Sequence, residues 1–436
     1  MSNNVIKVGE YIVVQKHNYK KLHKFNKSDS SINVGKDSVN LSAIEGCNYF
    51  SIFKMVYKGI KRSREYELEL VKETASLKDE IGIKSCGADN RNIYDDGRSQ
   101  KLTANEIHDL KSDSLKAADI VETLITNSNT FHSKTEYSQD KYLKKKEKKY
   151  FEYIQILKPN LRIISEILYK LEPTKVQSIR IDTLSQIVTM ANIMCEGNHL
   201  LYDSGSNGLV AAALLNAIGD STTGRLVHMH PGNMSQKQAL LAMNYAPEHY
   251  NKCVSVNVYS VLRQYYQGCD TNSSEETLDS SKSTNLKRKG DADLFSEQLA
   301  KVAKTSETES IQEKQPDSNR YTQEPKKPKW HFDNIEASNI LTNKMDSLVI
   351  ACKEDPQNIF MELSKFVKPG RPFVIYYPVS EPLQNLFVTL KSQSNVAALK
   401  LTCNWMRNYQ ILPERTHPEV LMNGSSGFLL TGYILK

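Results

Sequence analysis

The residues best placed to do chemistry lie in one segment, 199–232, which reads HLLYDSGSNGLVAAALLNAIGDSTTGRLVHMHPG. Asp203, Gly205, Asn207 and Gly208 share a turn of small residues, and such turns let backbone N–H groups approach a nucleotide-like ligand. On its own the turn supports two readings, a ligand cradle or a plain strand-to-helix connector. Nucleotide-binding units of this layout end their second strand in an acidic residue that binds the ribose hydroxyls. Here that strand is Arg225-Leu226-Val227-His228-Met229-His230, with no carboxylate at or near its end. Neutral imidazole offers one acceptor and methionine almost none, so the missing acid favours the connector.

The elements that would position this turn follow from the apolar pattern. Residues 199–202 form a short apolar run, and the nearly all-apolar Leu209–Ile218 is stopped by Gly219, which together give strand, turn and buried helix. Helix spacing over 234–245 follows Asn233, with Asn233 and Gln236 in capping-box positions, and 253–258 is a third strand-like run. Strands at 347–351 and 373–377 alternate with helices around 359–367 and 382–390. Runs 396–403 and 428–435 then follow without a helix between them, as an antiparallel pair closing one edge of a mostly parallel sheet. The expected fold class is α/β, with a Rossmann-like domain over 196–436.

Residues 1–100 carry short β-branched or alternating runs at 5–15, 31–41 and 49–58, expected to form a small barrel. From 101 to 195 the pattern is helical: Thr103 and Glu106 form a capping box, and Ile107, Leu110, Ile120, Leu124, Leu161, Ile164, Leu168 and Leu171 recur at helical spacing. An insert at 269–329, rich in Ser, Thr, Glu, Asp, Lys and Gln, interrupts the Rossmann-like part and cannot bury enough apolar surface to order itself. Its clusters Leu286-Lys287-Arg288-Lys289 and Pro325-Lys326-Lys327-Pro328-Lys329 read either as a nuclear localisation signal or as solvated charge.

With 436 residues the chain has room for two or three domains, and its 39% hydrophobic content leaves sizeable polar segments outside the cores. A net charge of +7 is too mild to mark a nucleic-acid binder by itself, so local clustering has to carry that case. Seven cysteines, odd in number and never in C-x-x-C spacing, are expected to be reduced thiols without a zinc site. No apolar run approaches roughly 18 residues and 1–10 lack an apolar signal region, so a soluble, intracellular protein without a membrane partner is expected.

Two constellations, and one weaker segment, carry local positive charge. Lys141, Lys144, Lys145, Lys148 and Lys149 fall on overlapping i, i+3 and i+4 faces of an expected helix, where like charges cost stability and an anionic partner relieves them. A solvated helix face is the alternative. The segment 16–24, KHNYKKLHK, is a weaker candidate of the same kind, read more readily as a charged loop. Between the last two strands, Arg407 with Tyr409, and Arg415 and His417 beside prolines, read as an RNA-binding loop or as an edge hairpin packed by Trp405 and Tyr409.

Taken in order, Asp89-Asn90-Arg91-Asn92-Ile93-Tyr94-Asp95-Asp96-Gly97, Lys101-Leu102-Thr103, the 141–150 lysine helix, the altered turn at Asp203 and the 407–418 loop resemble the family of non-catalytic subunits of the eukaryotic tRNA (adenine-58-N1)-methyltransferase. The resemblance covers nearly the whole chain outside the polar insert. It implies a barrel and a methyltransferase domain with a degenerate cofactor site. It also implies a catalytic homologue that binds S-adenosylmethionine, pairing as a dimer of heterodimers, with this chain helping to hold tRNA. Relative to the acidic-x-Gly-x-Gly-x-Gly turn of S-adenosylmethionine enzymes, only Asp203 and Gly205 remain in register. Where the catalytic homologue ends its fourth strand in Asp-Leu-Pro, this chain places Ala351 at the aspartate and Lys353 at the proline. Alanine can neither bond the base nor accept a proton. The expected function is therefore a tRNA-binding subunit that contributes no catalytic residue and binds no cofactor itself, acting in the nucleus, with 421–435 as a candidate subunit interface. Two alternatives accompany it: an active methyltransferase with an atypical cofactor site that depends on Asp203 and Asp355, and a translation-initiation factor that binds initiator tRNA.

Overall fold

The computed structural model describes residues 4–58, 64–71, 87, 99–112, 117–150, 153–268, 328–411, 416–420 and 422–436. Two seven-stranded sheets organise them.

The first sheet contains β1 (Tyr11–Lys16), β2 (Tyr19–Lys24), β3 (Ser31–Val34), β4 (Asp37–Asn40), β5 (Ile52–Tyr57), β6 (Glu65–Val71) and β7 (Tyr153–Leu157), in the order β2-β1-β7-β5-β6-β4-β3. Alternate residues point inward. Ile12 and Val14 of β1 share one core with Ile32 and Val34 of β3, Phe53 and Met55 of β5, and Ile154 and Ile156 of β7. Strands from opposite ends of the sheet can share a core only if the sheet curls, so the result is a nearly closed barrel. Across the remaining seam between β2 and β3, the Lys21 ammonium donates to the Asn33 carbonyl at 2.8 Å.

The strand β7 changes the expected partition at residue 100. It follows α1 (Ala104–Ser112), α2 (Ala117–Thr126) and α3 (Glu136–Tyr150) in the chain but pairs between β1 and β5. The helices are thus an excursion from the barrel, and the stretch 101–195 is not a single connector. Its sequence, YIQIL, has the period-2 burial of a strand, with Ile154 and Ile156 facing the barrel core. The Thr103–Glu106 capping box forms, with the Thr103 amide donating to the Glu106 carboxylate at 2.7 Å and the Glu106 amide to Thr103 Oγ1 at 3.3 Å. Val121, Leu124, Phe131 and Leu143 pack α2 against α3.

After α4 (Leu161–Leu171) and α5 (Ile181–Met190) the second sheet begins. Its elements are β8 (Asn198–Asp203), α6 (Leu209–Ile218), β9 (Arg225–His230), α7 (Gln238–Ala242), α8 (Pro247–Tyr250), β10 (Cys253–Asn257) and α9 (Val258–Gln267). Beyond the insert come α10 (Lys329–Thr342), β11 (Ser347–Ala351), α11 (Pro356–Leu363), β12 (Arg371–Tyr377), α12 (Glu381–Lys391), β13 (Val396–Trp405) and β16 (Ser425–Ile434), with the short pair β14 (Tyr409–Gln410) and β15 (His417–Pro418) between the last two. The order is β10-β9-β8-β11-β12-β16-β13, in which β16 runs antiparallel to both neighbours. The strand order reverses between β8 and β11, the switch point where open α/β sheets place their ligands. Leu201 of β8 faces one apolar layer, while Leu200 and Tyr202 face the other, so helices cover both sides of the sheet.

Three local expectations change. The helix expected over 234–245 is reduced to α7, its Asn233–Gln236 capping box does not form, and Met234 is 88% exposed. The helix α9 is an addition: the Asn257 side chain accepts from the Tyr259 and Ser260 amides at 2.9 and 3.1 Å and starts it immediately after β10. The segment proposed as an interface, 421–435, mostly forms β16, which is paired on both sides, so the free edge belongs to β13. The Asp89–Gly97 motif and most of the insert lie outside the described residues. Among the described residues, no helix is long and apolar enough to cross a membrane, and no group of three or more His, Cys, Asp or Glu could hold a metal ion.

The barrel meets the second domain through the side chain of Asn244, in the loop between α7 and α8. Its amide donates to the Tyr11 carbonyl at 2.7 Å and accepts from the Tyr11 amide at 2.8 Å, as a neighbouring strand would. Val13 and Leu157 of the barrel bury against Ile167 of α4 beside this joint.

Candidate functional site

The turn after β8 is closed by its own side chains. Asp203 is buried, and its carboxylate accepts from the Gly205 amide at 3.0 Å, from the Ser206 amide at 2.8 Å and from the Ser206 hydroxyl. Burial holds its pKa above the ordinary carboxylate range despite those bonds. Asn207 and Gly208 both take positive φ, 55° and 76°, which swings the chain into α6.

Side-chain ends lie over Gly205, and backbone lies against Gly208. A Cβ built on Gly205 would meet Lys353 Cε at 2.6 Å and Gln177 Nε2 at 2.7 Å. One built on Gly208 would meet the Gln236 carbonyl at 2.9 Å and Lys237 Cα at 3.0 Å. The 231–237 loop thus lies on the turn, fastened by the Ala239 amide donating to the Asn207 carbonyl at 3.1 Å and by Asn207 Nδ2 donating to Gln238 Oε1 at 2.9 Å. Those contacts bind the backbone that helix spacing alone would have coiled, which is why α7 starts only at Gln238.

The last residues of the neighbouring strands, His230 of β9 and Ala351 of β11, carry no carboxylate, although Glu354 beyond β11 reaches the turn. At the end of β9, His230 is 7% exposed, with Nδ1 lacking a hydrogen-bond partner, and burial lowers its pKa. Behind it His228 is fully enclosed, with Nδ1 3.3 Å from Ser255 Oγ and Nε2 3.9 Å from Asp203 Oδ2. Burial pushes His228 down to about 3, with His230 and Lys237 adding repulsion, so at neutral pH it faces Asp203 as a neutral ring. At the end of β11, Ala351 is buried, and the following loop is tied back to the turn. Ser204 Oγ donates to Glu354 Oε2 at 2.6 Å and accepts from the Lys353 amide at 2.8 Å, while Tyr377 donates to the Lys353 carbonyl at 3.0 Å. Of the two residues an atypical site would use, Asp203 is bonded within the turn and Asp355 is exposed ahead of α11. The last residues of β9 and β11 thus lack the carboxylates that the ribose and base of a bound S-adenosylmethionine and its substrate would call for, and the ends of the Lys353 and Gln177 side chains lie over Gly205.

Gln177 is the residue the sequence pattern did not single out. It sits in a left-handed turn (φ 51°) before α5 and is 6% exposed, with neither amide atom hydrogen-bonded. Its carbonyl accepts from the Tyr376 hydroxyl at 2.6 Å, which fixes it over Gly205. A gap of 28 positions in sequence gives no signal of that approach.

The basic candidates lie on separate elements. Lys141 and Lys145 are exposed on α3; Lys144, Lys148 and Lys149 share that helix, but their side chains lie outside the described residues. Arg407 and His417 lie on opposite arms of the hairpin in which β14 pairs with β15. Arg407 Nη2 is 3.5 Å from the Glu419 carbonyl and His417 Nδ1 is 2.9 Å from the Pro418 carbonyl. Trp405, Tyr409 and Ile411 are exposed around this hairpin, so they do not pack it as an edge hairpin would require. Arg415 lies outside the described residues.

The Gcd10p family model matches residues 5–294 of this chain. A relative from Mus musculus, the tRNA (adenine(58)-N(1))-methyltransferase non-catalytic subunit TRM6, is 34% identical over 89% of this chain and 80% of its own length. Its namesake from Dictyostelium discoideum is 27% identical over 99% of this chain and 80% of its own length. Among solved structures, the tRNA (m1A58) methyltransferase TrmI from Aquifex aeolicus aligns over 99% of this chain and 100% of its own, at 12% identity and a TM-score of 0.42. At that score the superposition adds nothing to the strand order described above.

Proposed function

The chain belongs to the Gcd10p family, and from that premise we propose that it serves as the non-catalytic subunit of a tRNA (adenine(58)-N(1))-methyltransferase, holding tRNA for a catalytic homologue. The observation that carries this reading is a turn bonded within itself beside strands whose last residues are not acids: Asp203 held by the Gly205 and Ser206 amides, His230 ending β9 and Ala351 ending β11. A chain in that condition contributes surface and not chemistry. S-adenosylmethionine then belongs to the partner, and the assembly is a dimer of heterodimers.

A target adenine within folded tRNA needs a broad cationic surface to position it. Lys141, Lys144, Lys145, Lys148 and Lys149 on α3, with Arg407, Arg415 and His417 of the β14–β15 hairpin, are the proposed contacts. The clusters 286–289 and 325–329 serve nuclear import in this reading. Replacing both with alanines and following the chain in cells tests that, and undiminished nuclear accumulation would remove it.

Calorimetric titration of S-adenosylmethionine into the complex tests the central point. One site per heterodimer, lost when the partner's pocket is mutated, is the expected result. A second site, or binding to this chain alone, would overturn it. Charge reversal of Lys144, Lys145, Lys148 and Lys149 should weaken tRNA binding and flatten its salt dependence.

A further inference from the structure

At one end of the barrel seam, two tight hairpins face each other. The β1–β2 turn is His17-Asn18, with φ 53° at His17, and the β3–β4 turn is Gly35-Lys36, with φ 67° at Gly35. Between them and Arg64 lies a cavity of about 510 Å³, within the range of pockets that hold small ligands. Its walls include Lys16, Tyr19, Lys36, Asp37 and Arg64.

The charges there are ordered. Asp37 accepts from the Lys16 ammonium at 2.9 Å, and the Arg64 guanidinium stands 4.0 Å from its other oxygen. Among the lining residues Lys16, Lys36 and Arg64 outnumber the single carboxylate, Asp37. Lys36 has no acidic partner among the described residues, and Tyr19 keeps 37% of its surface exposed. Two-residue turns are stiff, so the backbone that carries Lys16, Tyr19, Lys36 and Asp37 is set before any ligand arrives.

We propose that this cavity is an RNA-binding site that takes one unpaired nucleotide, with its phosphate on Lys36 and Arg64 and its base against the Tyr19 ring. The chemistry is that of single-strand recognition, in which a cation neutralises the backbone and an aromatic face accepts any base. Asp37 fixes the two cations it touches and repels a second phosphate, which limits the cavity to one nucleotide. The inference rests on the tRNA-holding role above and gives the barrel's part in it a definite cavity and a single nucleotide.

The test uses the complex with its catalytic partner and measures tRNA binding against salt concentration. The double variant Lys36→Ala/Arg64→Ala should lower the slope of log affinity against log salt by about 1 for each phosphate left without its cation. Tyr19→Ala should weaken binding roughly tenfold, and Tyr19→Phe should restore it. A thermal melt unchanged from wild type excludes unfolding as the cause. Unchanged affinity and slope in both variants would overturn the cavity while leaving the subunit's role intact, provided that reversal of the α3 lysines still weakens binding. Should the complete complex bind tRNA no better than the catalytic partner alone, the role itself falls, and this proposal with it.

Discussion

Two aspartates mark the contrast between the turn after β8 and the mouth of the barrel. Asp203 is buried and spends its oxygens on the Gly205 and Ser206 amides and the Ser206 hydroxyl, so the turn is satisfied from within. Asp37 stands at the edge of a cavity and holds Lys16 and Arg64, leaving a net positive field facing outward. A loop whose acceptors close on its own backbone has little left to offer a ligand; a loop whose acid arranges cations offers them to one. The turn after β8 closes on itself, and the barrel mouth turns its charges outward.

The sharpest way to break this contrast is to disturb the closed turn. Gly208→Ala must place a side chain at φ 76° and against the Gln236 carbonyl, and should cost about 3 kcal/mol in chemical denaturation. A loss below about 1 kcal/mol would mean that the 231–237 loop lifts easily and the turn is not closed.

Acid should act on the same region. The folded chain keeps His228 neutral down to about 3, whereas the unfolded chain protonates it near 6.5. A depressed folded pKa gives stability that is present above 6.5 and is lost as pH falls, at about 1.4 kcal/mol per unit. Asp203, raised by burial, has the opposite sense: its contribution is present below its unfolded value and fades as pH rises through the folded one. Comparing His228→Gln with the wild type isolates the histidine, and the variant should recover about 3 kcal/mol at pH 4 relative to its own difference at pH 7. Parallel stability curves would remove that assignment.

The clamp over Gly205 should matter less. Tyr376→Phe removes one buried hydrogen bond to the Gln177 carbonyl and should cost about 1 kcal/mol, read from the urea midpoint. At the barrel mouth, Lys36→Ala should change stability by less than about 0.5 kcal/mol, because an exposed cation contributes little to folding. A larger loss there would show that the mouth is structural, and the two regions would no longer differ in kind.

Much of this was legible in the sequence where the signal was local. Leu209–Ile218 and Gly219 give α6 and its stop, and the absence of an acid through His230 can be read directly. The truncated α7 could not be read, because the Asn207 carbonyl and side chain, not the helix period, decide where it starts. Lys353 and Gln177 were hidden for a related reason: each reaches Gly205 from a different part of the chain. The 16–24 segment reads as a charged loop until β3 and β4 bring Lys36 and Asp37 opposite it.

The placement of β7 also bears on how the protein is made. Because Tyr153–Leu157 pairs with β1 on one side and β5 on the other, the barrel core stays incomplete until residue 157 has been synthesised. Strands made early on the ribosome must wait through the whole helical excursion for their central neighbour, and contacts so distant in sequence form slowly. A fragment ending at residue 100 should therefore remain open and aggregate, whereas one that reaches α4 should close.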